Sequence, residues 1–157
     1  NWTGASTDDN TSWNDTAPTS SVFSIGTDTN TNRSGDKFIA YCFAEVEGFS
    51  SFGSYSGNGS TNGPYIYTDF RPAWIMIKRT DVADYWWGLF DNKRDPINVA
   101  DAILYANDAY AEDDSDSLDI LSNGFKLKAN SAFINNSSGS YIYMAFAEFP
   151  FKYANAR

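Results

Sequence analysis

The chain has 157 residues, a formal net charge of −9 and no histidine, and this length is typical of one domain or two small ones. Its acidic charge repels phosphate backbones, which argues against nucleic-acid binding. Without histidine, a Ser-His-Asp triad and a histidine-ligated metal site are excluded.

The single cysteine, Cys42, cannot form an intrachain disulfide, and every apolar run is shorter than the roughly 20 residues of a membrane helix. Because the first residue is Asn rather than Met, we expect a fragment or a processed product.

The predicted elements are short β-strands separated by polar turns. Residues 1–21 are rich in Thr, Ser, Asn and Asp, which predicts an extended polar arm. Phe38–Val46 is apolar with little alternation, as in a strand covered on both faces, so Cys42 within it is expected to be a small buried hydrophobe. The full set of predicted strands is Val22–Gly26, Phe38–Val46, Pro64–Thr68, Ala73–Arg79, Tyr85–Asp91, Leu118–Leu121, Gly124–Lys128 and Tyr141–Phe149.

Three other stretches are less regular. Gly48–Gly63 is predicted to form a hairpin-like excursion, because its central glycines suit tight turns. Asn98–Tyr105 has apolar residues at helical spacing but is short, so helix and strand both stay open. Ser131–Ile134 is a candidate for one more short strand. Eight to ten short strands predict an all-β fold, an antiparallel two-sheet β-sandwich of jelly-roll type with at most one short helix. Aromatic residues make up 17% of the chain, so we expect an aromatic core.

Two parts of the chain repeat each other. The run FIAYCFAE matches YIYMAFAE, and each is preceded by a similar polar lead-in. Such self-similarity indicates two copies of one β unit, whose apolar runs we predict to be corresponding inner strands. The matched segments are Phe38–Glu45 with Tyr141–Glu148, Asn32–Gly35 with Asn136–Gly139, and Ser20–Ile25 with Ser122–Leu127, which pairs Phe23 with Phe125.

After the arm at 1–21, we predict a β-sandwich domain at 22–157.

Aromatic residues near Gly- and Asn-rich turns form a candidate glycan-binding set. Ring faces stack on the C–H face of a sugar, and amides or carboxylates bind its hydroxyls. The alternative is that most of these rings fill the core. The set is Tyr55, Tyr65, Tyr67, Trp86, Trp87 and Asn58.

Carboxylates give two further candidates. Asp114, Asp116 and Asp119 have a spacing that could place their oxygens around Ca²⁺, although the run lacks the turn glycine and bidentate Glu of an EF-hand, and a solvated acidic loop is the alternative. Glu45 and Glu148 close the two repeated runs and could form a glycosidase pair, but equivalent positions in two copies favour a structural role. We therefore predict no catalytic residue and no enzyme activity, with Ca²⁺ as the one possible cofactor.

Long sequence blocks carry a resemblance to a known family. They are TAPTSSVFSIG (Thr16–Gly26), SGDKFIAYCFAEVEGFSSFGSYSGNGS (Ser34–Ser60), GPYIYTDFRPAWIMIKRTD (Gly63–Asp81), LFDNKRDP (Leu89–Pro96), LSNGFKL (Leu121–Leu127) and YIYMAFAEFPF (Tyr141–Phe151). These blocks resemble an uncharacterised domain of virion proteins from marine tailed bacteriophages, and the likeness covers nearly the whole chain. In that family the blocks repeat in tandem within long tail or fibre-like proteins and end near a tail such as YANAR (Tyr153–Arg157). The resemblance thus implies that residues 22–47 are the rear part of one repeat copy and residues 48–157 a second copy.

The resemblance implies a virion component at the particle surface rather than a reaction. The first expectation is a tail-fibre or tail-tip domain that attaches to host-surface glycans. The alternative is a decoration or cement protein that stabilises the capsid or tail, and a glycan hydrolase is the third possibility. Expected partners are other virion proteins, further copies of the chain in a homotrimer, and a host glycan, with no nucleic acid and no membrane insertion.

Overall fold

The computed structural model describes residues 3–150. Two compact units divide this range: the larger contains residues 3–6 and 44–150, and the smaller is Thr7–Phe43. Within the described range, every strand lies in the larger unit and the two short helices lie in the smaller one. Phe151 and the tail Tyr153–Arg157, which contribute to the family resemblance, lie outside the described residues.

The larger unit is an all-β sandwich of two antiparallel sheets, as predicted. Its strands are β1 (Ser50–Ser56), β2 (Tyr65–Tyr67), β3 (Pro72–Arg79), β4 (Trp87–Asp91), β5 (Leu104–Tyr105), β6 (Leu118–Leu121), β7 (Gly124–Leu127) and β8 (Ser140–Ala147). The five-stranded sheet has the order β1-β8-β3-β4-β5, and the three-stranded sheet has the order β2-β7-β6. β8 is therefore a central strand, paired with β1 on one side and β3 on the other.

Period-2 alternation places the core between the sheets. In β3, Ile75 and Ile77 are fully buried, whereas Trp74 and Met76 on the opposite face are partly exposed. The rings of Phe125 in β7 and Tyr143 in β8 meet edge to face with centroids 5.5 Å apart, so they connect the two sheets directly. The remaining core contains both aliphatic and aromatic side chains. The buried residues include Phe90, Ile103, Leu118, Ile120, Leu127, Ile134, Tyr141 and Ala145.

Most strand predictions for the larger unit are confirmed. β2, β3, β4, β6, β7 and β8 coincide with predicted strands, with ends shifted by at most two residues. Gly48–Gly63 is not a hairpin: it contains β1, which pairs with the distant β8, followed by a turn in which Gly59 has a φ of +64°. Asn98–Tyr105 is neither a helix nor a full strand but an irregular stretch that ends in β5, and Ser131–Ile134 forms a turn.

The smaller unit contains two single-turn helices where the sequence analysis allowed at most one. They are α1 (Asn10–Trp13), which falls in the predicted extended arm, and α2 (Thr29–Asn32). Asp9 caps α1 and Asp28 caps α2, and the Ser12 hydroxyl lies within hydrogen-bond distance of a carboxylate oxygen of each, at 2.7 and 2.8 Å. Hydrogen bonds from Thr11 and Ser12 lower the pKa of Asp9 to about 2.

The strands predicted at Val22–Gly26 and Phe38–Val46 are wrong. Neither stretch is part of a strand, and residues 38–42 make no backbone hydrogen bond with another described residue. Cys42 is exposed rather than buried, and Ile39 and Tyr41 are 80% and 81% exposed. A strand forms when a neighbouring strand accepts and donates its backbone hydrogen bonds, and residues 38–42 have no such neighbour among the described residues.

Candidate functional site

Two tyrosines of β2 project from the outer face of the three-stranded sheet. Tyr65 and Tyr67 are 45% and 58% exposed, while Ile66 between them points into the core. The Tyr65 hydroxyl donates to Asn123 Oδ1 at 2.7 Å, and the Tyr67 hydroxyl donates to Asp69 Oδ1 at 2.6 Å. These bonds hold both rings in place, and the two residues lie about 7 Å apart along the strand. We call this surface, formed by Tyr65, Tyr67, Asp69, Asn123 and Lys126, the tyrosine face.

Polar groups surround these rings. Lys126 lies beside Tyr65 in the sheet, and its Nζ donates to Asn62 Oδ1 at 2.6 Å. The hydrogen bond to Asp69 raises the pKa of Tyr67, so its hydroxyl stays protonated at neutral pH. Beside Tyr67, Gly124 cannot carry a side chain, because a Cβ there would lie 2.1 Å from the Ile66 carbonyl oxygen. The arrangement offers flat rings, an amide, a carboxylate and an ammonium group, which are the groups that bind sugar rings and hydroxyls.

Two residues of the predicted glycan set have structural roles instead. The Tyr55 ring stacks on Tyr141 with centroids 5.0 Å apart, and its hydroxyl donates to the Ile134 carbonyl at 2.8 Å. Burial raises the pKa of Tyr55 well above its usual value. The Asn58 side chain bonds within its own turn, where Nδ2 donates to the Asn62 carbonyl and Oδ1 accepts from the Ser60 amide.

The two tryptophans of the set lie apart from the tyrosine face. Trp86 packs against Tyr105 and Tyr110, with ring centroids 5.5 Å away in each case, and its Nε1 donates to Asp108 Oδ2 at 2.9 Å. Trp87 belongs to the five-stranded sheet, where it pairs with Lys78 of β3. The structure thus brings together Tyr65 and Tyr67 and places the other four residues elsewhere.

The outer face of the five-stranded sheet is apolar. An open groove of about 330 Å³ runs across its strands, and Ile142 in it is 40% exposed. The residues along the groove are Phe52, Gly53, Met76, Trp87, Ile142, Tyr143 and Met144. We call this surface the apolar groove.

The three aspartates of the predicted Ca²⁺ site have different surroundings. Asp114 is exposed, and Asp119 forms an ion pair with Lys128 at 3.6 Å. Asp116 is 5% exposed, and its Oδ1 has no hydrogen-bond partner among the described residues. Across residues 3–150, no group of three acidic or cysteine side chains could hold a metal ion.

Replacing Asp116 with Asn is expected to raise the free energy of unfolding at neutral pH by about 1 kcal/mol, because a neutral amide is easier to bury than a carboxylate. For a chain of this size the melting temperature should rise by about 2–4 °C. Burial raises the pKa of the Asp116 carboxyl, and a hydrogen bond from Ser131 opposes that effect. The native state is therefore penalised above this raised pKa, and the penalty fades as the pH falls through it.

Thermal melts of both proteins at neutral and acid pH measure this effect. The advantage of the Asn variant should shrink towards acid pH. Asp114→Asn at an exposed position is the control and should change stability by less than about 0.5 kcal/mol. An advantage that does not depend on pH would contradict the assignment.

Glu45 and Glu148 have different partners. Glu148 forms an ion pair with Arg71 Nε at 2.8 Å. Glu45 is exposed, and its Oε1 accepts a hydrogen bond from Ser51 Oγ at 3.4 Å. Each carboxylate therefore has its own partner, Arg71 or Ser51, as expected if the two glutamates have structural roles.

Comparison with known families gives one match. A family model described as a domain of unknown function, DUF7483, matches residues 1–150. The chain belongs to the DUF7483 family. No curated protein and no solved structure matches it. Since the function of DUF7483 is unknown, the phage origin indicated by the sequence blocks stays a prediction. Among the described residues of this DUF7483 chain, no helix has the length and hydropathy to cross a membrane.

The sequence analysis missed a buried amide side chain that connects two loops of the DUF7483 domain. Asn135 is fully buried, and its Nδ2 lies within hydrogen-bond distance of Asn58 Oδ1 and the carbonyls of Ser60 and Ala129, at 2.8–3.1 Å. Its Oδ1 accepts from the Asn58 amide at 2.8 Å. Asn135 therefore ties the turn after β1 to the segment before β8. In the sequence it stands in a polar Asn- and Ser-rich stretch, which reads as a surface loop.

Proposed function

We propose that this chain is a non-enzymatic binding module of a bacteriophage virion, carried on a tail fibre or tail tip, that attaches to glycans of the host surface. The tyrosine face is the observation that carries this proposal. The resemblance of the sequence blocks to virion proteins supports a position on the virion. The expected homotrimer would present several tyrosine faces at once, which raises avidity.

The geometry of the tyrosine face suits a polysaccharide better than a compact ligand. The face is an open sheet surface, its two tyrosines are 45% and 58% exposed, and each ring is held by a hydrogen bond of its hydroxyl. Rings fixed before binding lose little conformational entropy when a ligand stacks on them. The ammonium group of Lys126 and the amide of Asn123 lie on the same face and could bind hydroxyls or acidic groups of a sugar.

Tyr65→Ala and Tyr67→Ala are each expected to weaken glycan binding by about tenfold, because each removes one stacking surface. The measurement is binding of the full chain to a panel of bacterial surface polysaccharides, followed by titration with those that bind. Tyr110→Ala is the matched control, since Tyr110 is 62% exposed but packs against Trp86 away from this face. Binding that survives loss of both Tyr65 and Tyr67, or no binding to any polysaccharide, would reject the glycan proposal.

The apolar groove favours a second candidate, a decoration or cement protein. An apolar groove on an open sheet face is a place where a neighbouring protein can bury side chains, and Ile142 in this groove is 40% exposed. A neighbouring virion subunit could bury Ile142 and the groove around it, and each buried apolar Å² contributes roughly 25 cal/mol.

Ile142→Asp is expected to prevent retention of the chain on assembled particles in cosedimentation, because it places a charge in the proposed interface. Ile142 is partly exposed in the isolated chain, so the variant should fold, which circular dichroism checks. Tyr65→Ala is the control and should be retained as well as the unmodified chain. Retention of Ile142→Asp at the level of the unmodified chain would exclude this face as the interface.

A further inference from the structure

Three aromatic rings form an exposed corner beside the edge strand of the five-stranded sheet. Trp86 directly precedes β4, Tyr105 ends β5, and Tyr110 follows in the loop after β5. β4 and β5 are paired with Gly88 opposite Tyr105, and this pairing brings the rings together. Tyr110 is 62% exposed, and the other two rings are partly buried, so solvent reaches them. We call Trp86, Tyr105 and Tyr110 the aromatic corner.

The rings of the aromatic corner stand at steep angles to one another. The planes of Trp86 and Tyr110 differ by 88°, those of Tyr105 and Tyr110 by 77°, and those of Trp86 and Tyr105 by 57°. The three rings therefore do not share a plane on which a flat sugar ring could stack. Their centroids are 5.5–6.3 Å apart, so a cation placed between them lies within about 6 Å of all three, the range of cation–π attraction.

Two carboxylates hold these rings in place. Asp108 accepts a hydrogen bond from the Trp86 indole N–H at 2.9 Å and another from the Tyr110 backbone amide at 3.2 Å. Asp113 accepts from the Tyr105 hydroxyl at 2.6 Å. The walls of the corner are thus positioned before a ligand binds, and binding costs little conformational entropy.

The segment around the aromatic corner is acidic. Six carboxylate residues lie between positions 108 and 119, and positions 106–125 contain no Lys or Arg. Two of the six form ion pairs with cations from outside this segment. The hydrogen bond from Tyr105 lowers the pKa of Asp113, so this carboxyl is charged at neutral pH. The local excess of negative charge attracts cations and repels anions.

We propose that the aromatic corner binds quaternary ammonium groups, such as the trimethylammonium group of choline. A trimethylammonium group has no N–H to donate, so ring faces and nearby negative charge recognise it. The carboxylates of Asp108 and Asp113 supply this charge while their hydrogen bonds hold the rings. The site shares no residue with the tyrosine face, and it does not depend on glycan binding.

Titration of the full chain with choline chloride tests the site. The readout is the NMR signal of the Trp86 indole N–H, which is identified by its loss in Trp86→Phe. We expect this signal to shift and to saturate with a dissociation constant of about 1 mM. The matched probe is the neutral analogue of choline in which a tert-butyl group replaces the trimethylammonium group. It should bind at least about tenfold more weakly, because the cation–π attraction is lost.

Two results of this titration would overturn the proposal. One is the absence of a shift at choline concentrations about tenfold above the expected dissociation constant. The other is equal affinity for choline and its neutral analogue, which would mean that the rings bind any apolar group of this size.

Variants of Tyr110 locate the site. Tyr110→Ala removes one wall and should weaken choline binding at least about fivefold, whereas Tyr110→Phe keeps the ring and should bind within about twofold of the unmodified chain. Tyr65→Ala is the matched control, since it removes an exposed ring from the tyrosine face and should leave choline binding unchanged. Unchanged binding by Tyr110→Ala, or an equal loss in Tyr65→Ala, would place binding elsewhere and reject the aromatic corner.

A second arm distinguishes free choline from a lipid head group, since both carry the trimethylammonium group. The full chain is cosedimented with phosphatidylcholine vesicles and, separately, with phosphatidylglycerol vesicles. Retention on phosphatidylcholine alone, lost in Tyr110→Ala, would support the corner as a site for the lipid head group. Saturable binding of choline without retention on either kind of vesicle would support a soluble ligand.

Discussion

Phe125→Ala is expected to lower the free energy of unfolding by about 3–5 kcal/mol, the range found for loss of a large aromatic ring from a core. Phe125 is fully buried in β7, and its ring meets that of Tyr143 across the two sheets. Removing it leaves a cavity at the point where the sheets contact each other. Since native domains are stable by only about 5–15 kcal/mol, the variant should be close to unfolding at room temperature. Urea unfolding followed by tryptophan fluorescence measures the loss.

The repeat supplies a matched control for this experiment. Phe23 corresponds to Phe125 in the sequence but is 43% exposed. Phe23→Ala removes the same atoms from a surface position and should change stability by less than about 0.5 kcal/mol. Similar losses for both variants would mean that Phe23 is buried in solution, and a small loss for Phe125→Ala would contradict the position of the core.

Asn135→Ala is expected to lower the free energy of unfolding by about 2–3 kcal/mol, because it leaves buried backbone groups without hydrogen-bond partners. The amide of Asn135 is shared between the carbonyls of Ser60 and Ala129 and the side chain of Asn58. Its loss should also loosen the turn after β1. Hydrogen exchange at the Asn58 and Gly59 amides, which donate to Asn135 Oδ1 and to the Asn135 carbonyl, would show this locally.

The neighbouring residue provides the comparison. Asn136 contributes its backbone amide to the Tyr141 hydroxyl at 2.8 Å, and no side-chain hydrogen bond of Asn136 is described. Asn136→Ala should therefore cost less than about 0.5 kcal/mol. If the two alanine variants were equally stable, the network around Asn135 would be compensated by water and would not hold the turn in place.

Local alternation was sufficient to predict several strands. PYIYT and AWIMIKR alternate with period 2, and they form β2 and β3. Ile66, Ile75 and Ile77 face the core, whereas the aromatic residues of these runs lie on the opposite faces. A strand with one face against the core alternates between core-facing and outward-facing residues, so its sequence has a period of two. The turn glycines were also informative, since Gly59 adopts the positive φ that its surroundings predict.

The glycan set shows where local sequence stops being informative. Tyr55 and Tyr65 both lie near Gly- and Asn-rich turns, yet Tyr55 is stacked in the core and Tyr65 is exposed. β1 pairs with β8, which places Tyr55 opposite Tyr141, whereas Tyr65 lies opposite Lys126. The partner strand of β1 lies more than eighty residues away in the chain, so no nearby residue indicates which face of Tyr55 is covered.

By itself, the sequence determined the fold class, most strands of the larger unit and the internal repeat, because these depend on residue type and spacing. Only the tertiary structure decided which copy of the repeated run becomes a strand. Phe38–Glu45 and Tyr141–Glu148 have similar sequences. The first run is largely exposed, whereas the second lies between β1 and β3. The physical reason is that a strand is stabilised by its cross-strand neighbours and by burial more than by its own propensity.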